Sequence, residues 1–236
     1  MHYLKKVIYL CFFIMLPFNG LATEKSISIE NLEKQFFLNH KMFYGPLEIE
    51  NLQNLGALYF YGSKKTPRDY NKSIRIFKFL SNKNNKYSQY GLGLMYYNGL
   101  GTEVDYQKAF YYYKAAAENN HIDAQVALGR MYRKNNEKTG IPKNHKEAYK
   151  WYMRAAKYGH GKAMVFLGNM YFLGQGRDFN LVKGLMWNYL AQMSGEKMGI
   201  NLIKTFEKDL SETNQLSLKT AKLAAIKCKI NKYEKC

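Results

Sequence analysis

The chain has 236 residues and carries 36 Lys and Arg against 18 Asp and Glu, a formal net charge of +18. Its lysines are scattered rather than massed, and Lys, Asn, Tyr, Ile and Phe are abundant throughout, so the charge reads as a solvated coat and nucleic acid is not an expected partner. Only Cys228 and Cys236 follow the first 22 residues, and neither has a Cys or His neighbour at metal-ligand spacing, which excludes a zinc site and leaves no metal or cofactor expected.

The N-terminus opens with Lys5 and Lys6, an apolar run from Val7 to Leu16, and a Pro17 to Ala22 segment with Gly20 and Ala22 at the −3 and −1 positions of a cleavage site. Ten apolar residues are too few to cross a bilayer, which needs about 20, so residues 1–22 are expected to be a signal peptide and the protein to be exported, periplasmic or secreted, with no transmembrane segment after cleavage. Residues 23–50 then form an N-terminal cap, with Ser28 capping an amphipathic helix over Ile29 to Phe37 and Gly45-Pro46 breaking the chain.

From Asn51 the chain repeats itself. Leu-Gly-x-x-Tyr occurs as Leu55-Gly56 with Tyr59, Leu92-Gly93 with Tyr96, Leu128-Gly129 with Tyr132 and Leu167-Gly168 with Tyr171, so the glycines step by 37, 36 and 39 residues. A second signature keeps the same register: Ala109, Tyr113, Ala116 and Ala117 match Ala148, Tyr152, Ala155 and Ala156, with Ser73, Phe77, Leu80 and Ser81 before them and Gly184, Asn188, Ala191 and Gln192 after. Each set is followed by Asn84, Asn120, Gly159 or Gly195, residue types that tolerate the left-handed conformation closing a helix. Ala124, Leu128 and Tyr132 share one helical stripe, and Ala148, Trp151, Tyr152 and Ala155 share another, so each unit reads as two helices face to face. No single pair buries both its stripes, and neighbouring units must stack.

The two signatures resemble the Sel1-like repeat, a relative of the tetratricopeptide repeat, over residues 51–195 in units of about 51–86, 87–121, 122–160 and 161–195. The third unit carries an insertion at Lys134 to Asn144, and the fourth ends in Gln192-Met193-Ser194. The resemblance implies an all-α solenoid of about four helix-turn-helix repeats between helical caps, forming one elongated monomeric domain. Residues 196–236 supply two more helices, about Glu196 to Asp209 and Glu212 to Ile230 with Ser211 as a cap. This pair is similar to the terminal cap of exported family members.

The family resemblance also implies binding rather than catalysis, with another protein or an anionic cell-envelope component held on the concave side, in the envelope or at a host interface. By analogy with tetratricopeptide grooves, that surface takes the positions two before, two after and five after the motif leucine. They are Gln53, Ala57 and Phe60; Tyr90, Leu94 and Tyr97; Val126, Arg130 and Arg133; and Val165, Asn169 and Phe172. Two alternatives stand beside it: a basic adhesin, and a penicillin-interacting cell-wall enzyme of the cysteine-rich repeat type. Ser194-Gly195-Glu196-Lys197 fits Ser-x-x-Lys and Lys138-Thr139-Gly140 fits Lys-Thr-Gly, yet they stand in reverse order with no strand pattern, so no catalytic residue is assigned. His121 and His160 share one register after a helix stop and read as structural. Cys228 and Cys236, at the end of the last helix, are either two free thiols or a disulfide in an oxidising compartment, for which the chain must turn back near Ile230.

Overall fold

The computed structural model describes residues 29–38, 45–134, 139–209, 212–233 and 236, so the expected signal peptide and the capping residues Ser28 and Ser211 lie outside the described residues. Among the described residues the chain forms eleven helices. The first, α1 (Ile29–Leu38), belongs to a unit of its own, residues 1–42, and buries Leu32 and Phe36, which stand one turn apart.

The second unit holds α2 (Pro46–Tyr61), α3 (Tyr70–Asn82), α4 (Lys86–Asn98), α5 (Tyr106–Glu118), α6 (Ile122–Arg133), α7 (His145–Lys157), α8 (Gly161–Phe172), α9 (Leu181–Met193), α10 (Lys197–Asp209) and α11 (Glu212–Ile230). From α2 to α10 each helix packs on its neighbours in sequence, so α2/α3, α4/α5, α6/α7 and α8/α9 make four stacked pairs, an all-α solenoid. The first helix of the first pair starts at Pro46, ahead of the repeat signature, and Pro46 fills the first helical position behind Gly45. Proline is suited there, since that amide has no helical acceptor to lose.

Two backbone devices recur in every pair. At the first turn, the motif tyrosine carbonyl accepts the amide of the residue that caps the second helix: Asp69 to Tyr59 at 2.9 Å, Asp105 to Tyr96 at 2.9 Å, Asn144 to Tyr132 at 2.8 Å and Asn180 to Tyr171 at 3.1 Å. The side chain of each of these caps accepts a further backbone amide, from Lys72, Lys108, Glu147 and Lys183. Each such cap is worth about 1 kcal/mol. The insertion of the third repeat is therefore pinned where it ends, at Asn144. It also reaches back over the second repeat, where Thr139 O accepts from Gln107 Nε2 at 3.0 Å and Ile141 is buried.

At the second turn, Asn84, Asn120, Gly159 and Gly195 have φ of 59°, 59°, 79° and 82°. The next residue then donates its amide back into the closing helix: Asn85 to Leu80, His121 to Ala116, His160 to Ala155 and Glu196 to Ala191. This is the glycine-type helix stop, with asparagine standing in twice.

Leu55, Leu92, Leu128 and Leu167 are buried between the paired helices, each contributing about 1.5–3 kcal/mol. Beyond the fourth pair, α10 and α11 both pack on α9. Ile203 of α10 is buried, and Ala221, Ala225 and Cys228 of α11 join the cluster around Trp187 and Leu190. The last helix ends at Ile230, Lys232 and Tyr233 take φ of 49° and 64°, and Cys228 is disulfide-bonded to Cys236 with Cα atoms 5.2 Å apart.

Candidate functional site

The residue after each of the first three left-handed stops does a second task, because it also caps the first helix of the following pair. Asn85 Oδ1 accepts from Ser88 N at 2.9 Å, while His121 Nδ1 and His160 Nδ1 accept from Ala124 N and Ala163 N, both at 3.3 Å. An imidazole that accepts at Nδ1 carries its hydrogen at Nε2. His160 Nε2 accordingly donates to Asp123 Oδ1 at 3.2 Å, tying α8 to α6, and Asn85 Nδ2 donates to Gln53 Oε1 at 2.9 Å, tying α4 to α2. His121 instead stacks on Tyr90 of α4, with ring centres 4.4 Å apart. Burial pushes the His121 imidazole down to about 4, so it is neutral at pH 7. The His160 hydrogen bond holds the Asp123 carboxyl below its ordinary range.

His160 and Asp123 border a cleft of about 530 Å³ that runs along α4 and α6 to the starts of α8 and α10. Tyr90, Leu94 and Tyr97 of α4 form one wall, Val126, Ala127, Arg130 and Met131 of α6 another, and Tyr113 of α5 lies between them. Burial raises the hydroxyl pKa of Tyr90 and Tyr113 far above the phenolic range, with Arg130 close enough to oppose the shift at both. Both therefore remain neutral hydroxyls, able to donate. Lys134 and Lys162 bring positive charge to the rim, and Asp123 and Glu196 negative charge. Arg130 is exposed.

Of the residues expected to line a groove, Tyr90, Leu94, Tyr97, Val126 and Arg130 come together here. Arg133, Asn169 and Phe172 do not. Arg133 turns toward the next helices, its guanidinium 5.5 Å from the centre of the Phe166 ring and beside the Tyr152 hydroxyl. Phe172 packs against the backbone of Gly184 on α9, Phe60 packs its ring on Tyr70 and Phe77, and Tyr97 lies against Tyr106 and Tyr113. At the fifth position after the motif leucine, Phe60 and Phe172 therefore serve the interface within their own pair, Arg133 reaches the next pair, and Tyr97 both packs on α5 and lines the cleft. Asn169 is half-buried on α8, outside the cleft, and Val165 is 1% exposed, a core residue. Gln53 and Ala57 are half-buried on α2, away from the cleft, with Gln53 accepting from Asn85.

The charged rim was not read from the sequence. Asp123, His160, Lys162 and Glu196 sit at or beside helix N-termini, and the signal that could have found them is the register of the capping residues. Ser194 stands at the C-terminus of α9, where its hydroxyl donates to Ala191 O at 2.7 Å. The carbonyl of Thr139 is held by Gln107, and Lys138 lies outside the described residues. No His, Cys, Asp and Glu cluster suited to a metal ion occurs among the described residues, and none of their helices is long and apolar enough to cross a membrane.

Residues 52–85, 86–121, 122–160 and 161–191 each match the Sel1 repeat. Among solved structures, a Sel1 repeat protein from Oxalobacter formigenes superposes with a TM-score of 0.61 at 20% identity, covering 73% of this chain and 70% of its own. A protective antigen present in uropathogenic Escherichia coli strains, displaying an SLR fold, gives a TM-score of 0.69 at 22% identity and covers 89% of this chain. The chain spans 47% of that antigen, about half its length. At these identities the likeness is one of fold. No curated protein matches the chain.

Proposed function

This chain belongs to the Sel1 repeat family, and we propose that it is an exported, non-enzymatic scaffold that holds a partner protein in the cleft between α4 and α6. Sel1 repeats mediate protein–protein interaction, and a scaffold of this kind draws its affinity from a few anchors rather than from area. The observation that carries the reading is the meeting of Tyr90, Leu94, Tyr97 and Arg130 in one cleft of about 530 Å³. Tyrosine and arginine are the residue types that anchor interfaces.

The cleft also has a preference. Arg130, Lys134 and Lys162 face it against Asp123 and Glu196, and Asp123 is engaged by His160. A partner segment that inserts an apolar or aromatic side chain and brings a carboxylate beside it uses both the wall and the spare positive charge. Export is supported by Lys5, Lys6 and the apolar run that follows, and by the Cys228–Cys236 bridge, which belongs to an oxidising compartment.

A photo-crosslinking amino acid in place of Ala127, on the α6 wall, tests the reading in native cells. A discrete protein adduct from this position, lacking from one placed at the exposed Tyr111, is expected. Identical adducts from both would contradict it. Fractionating the same cells tests the location, and recovery of the chain in the cytosol with its leader intact would contradict export.

A further inference from the structure

The last helix buries one side and leaves the other in water. Ala221, Ala225 and Cys228 seat α11 on α9, with both alanines fully buried. On the opposite side Leu216, Leu223, Ile226 and Ile230 are 71%, 53%, 40% and 73% exposed. Steps of seven, three and four residues keep these side chains on one stripe. A lone exposed leucine needs no explanation, whereas a stripe of four marks a docking face.

Charge identifies the occupant. Lys219, Lys222, Lys227, Lys229 and Lys232 are exposed on the same helix and the turn after it, and residues 213–233 contain no Asp or Glu. A second copy docked through this stripe would bring two such sets of lysines together, since a two-fold contact pairs each patch with itself. A bilayer with anionic headgroups has no such conflict. It takes the leucines and isoleucines into the acyl boundary while the lysine stems lie along the interface and their ammonium groups reach phosphates. We propose that the outer face of α11 docks on an anionic membrane surface, with the helix lying in the plane of the interface. The Cys228–Cys236 bridge closes the chain just beyond Ile230 and holds the last turn, so the end of the stripe stays in register. None of these residues lines the cleft between α4 and α6, so the two readings stand or fall separately.

Leu223→Trp in the full chain puts a reporter in the stripe. The native Trp151 and Trp187 are 9% and 1% exposed, so they are shielded from lipid and give a constant background that the unsubstituted chain measures. Phosphatidylglycerol vesicles with brominated acyl chains should shift the emission to shorter wavelength and quench it, while phosphatidylcholine vesicles should do neither. Adding Lys219→Glu, Lys222→Glu, Lys227→Glu and Lys229→Glu should weaken vesicle binding by on the order of a hundredfold, and high salt should weaken the starting interaction. Three results would overturn the proposal. Binding to vesicles with unchanged emission would place the contact elsewhere in the chain, an equal shift on phosphatidylcholine would remove the charge selection, and a shift that grows with protein concentration without lipid would show a second copy covering the stripe.

Discussion

Gly129 lies against the face of Tyr152: a Cβ built on the glycine would stand 2.6 Å from Cε1 and 2.8 Å from Cδ1 of the ring. The same relationship joins Gly56 to Phe77, Gly93 to Tyr113 and Gly168 to Asn188, so the motif glycine and the second residue of the second signature are two halves of one contact. Tyr152 is fully buried and cannot swing away. Gly129→Val should therefore destabilise the protein by about 1–3 kcal/mol, read as a lower denaturant midpoint, with the circular dichroism of the wild type strongly helical. An unchanged midpoint would show that α6 and α7 do not approach as closely as described.

Acid should weaken the repeat stack through His121. Its imidazole is held down at about 4, chiefly by burial and against partial support from Asp123, while the unfolded chain titrates near the ordinary value of 6.5. The unfolded state thus takes up the proton first, so this group's contribution is intact above about pH 7 and falls away as the pH drops from about 6.5 to 4. Between pH 7 and 5 the loss should be about 2 kcal/mol. His121→Asn should remove that part of the pH dependence while keeping the cap, since Asn85 fills the same register one repeat earlier. Equal pH dependence in both proteins, measured by urea unfolding, would contradict the assignment.

The terminal bridge should matter to the cap more than to the repeats. Cys228 and Cys236 are separated by 8 positions, and closing so short a loop stabilises by about 2–3 kcal/mol on the chain-entropy model. A reduced or Cys236→Ser protein should show faster amide exchange in α11 while α4 to α7 keep their protection. Alkylation of both thiols in unreduced, natively exported protein would show that no bridge forms.

Periodicity made the helix pairs legible because the Leu-Gly-x-x-Tyr motif and the alanine set encode two faces of one contact, as Gly129 and Tyr152 show. The left-handed stops at Asn84, Asn120, Gly159 and Gly195 were legible for the same reason, since few residue types accept that backbone. The anchors of the second helices were missed. Asp69, Asp105, Asn144 and Asn180 each stand four positions before the first residue of the second signature, a register that went unused, and the hydrogen bond to the tyrosine carbonyl that fixes them forms only across the folded turn.

The candidate site was half legible. An analogy that counts positions along the first helix finds Tyr90, Leu94, Tyr97, Val126 and Arg130, but it assigns Arg133 and Phe172 to a free face when each packs on later helices. Asp123 and His160 are 37 residues apart, and their contact exists only once consecutive repeats have stacked.

Charge reversal inside and outside the cleft between α4 and α6 separates a local protein-binding site from general attraction to the lysine coat. Arg130 and Lys162 line the cleft, whereas Lys114 and Lys157 are exposed on the second helices α5 and α7. Each reversal should change folding by only about 0.5 kcal/mol. Titrating the partner captured from position 127 against Arg130→Glu with Lys162→Glu should show binding weakened by about 2–4 kcal/mol, while Lys114→Glu with Lys157→Glu leaves it nearly unchanged. Equal losses from both pairs would contradict a local site and identify the interaction as general attraction to the cationic coat.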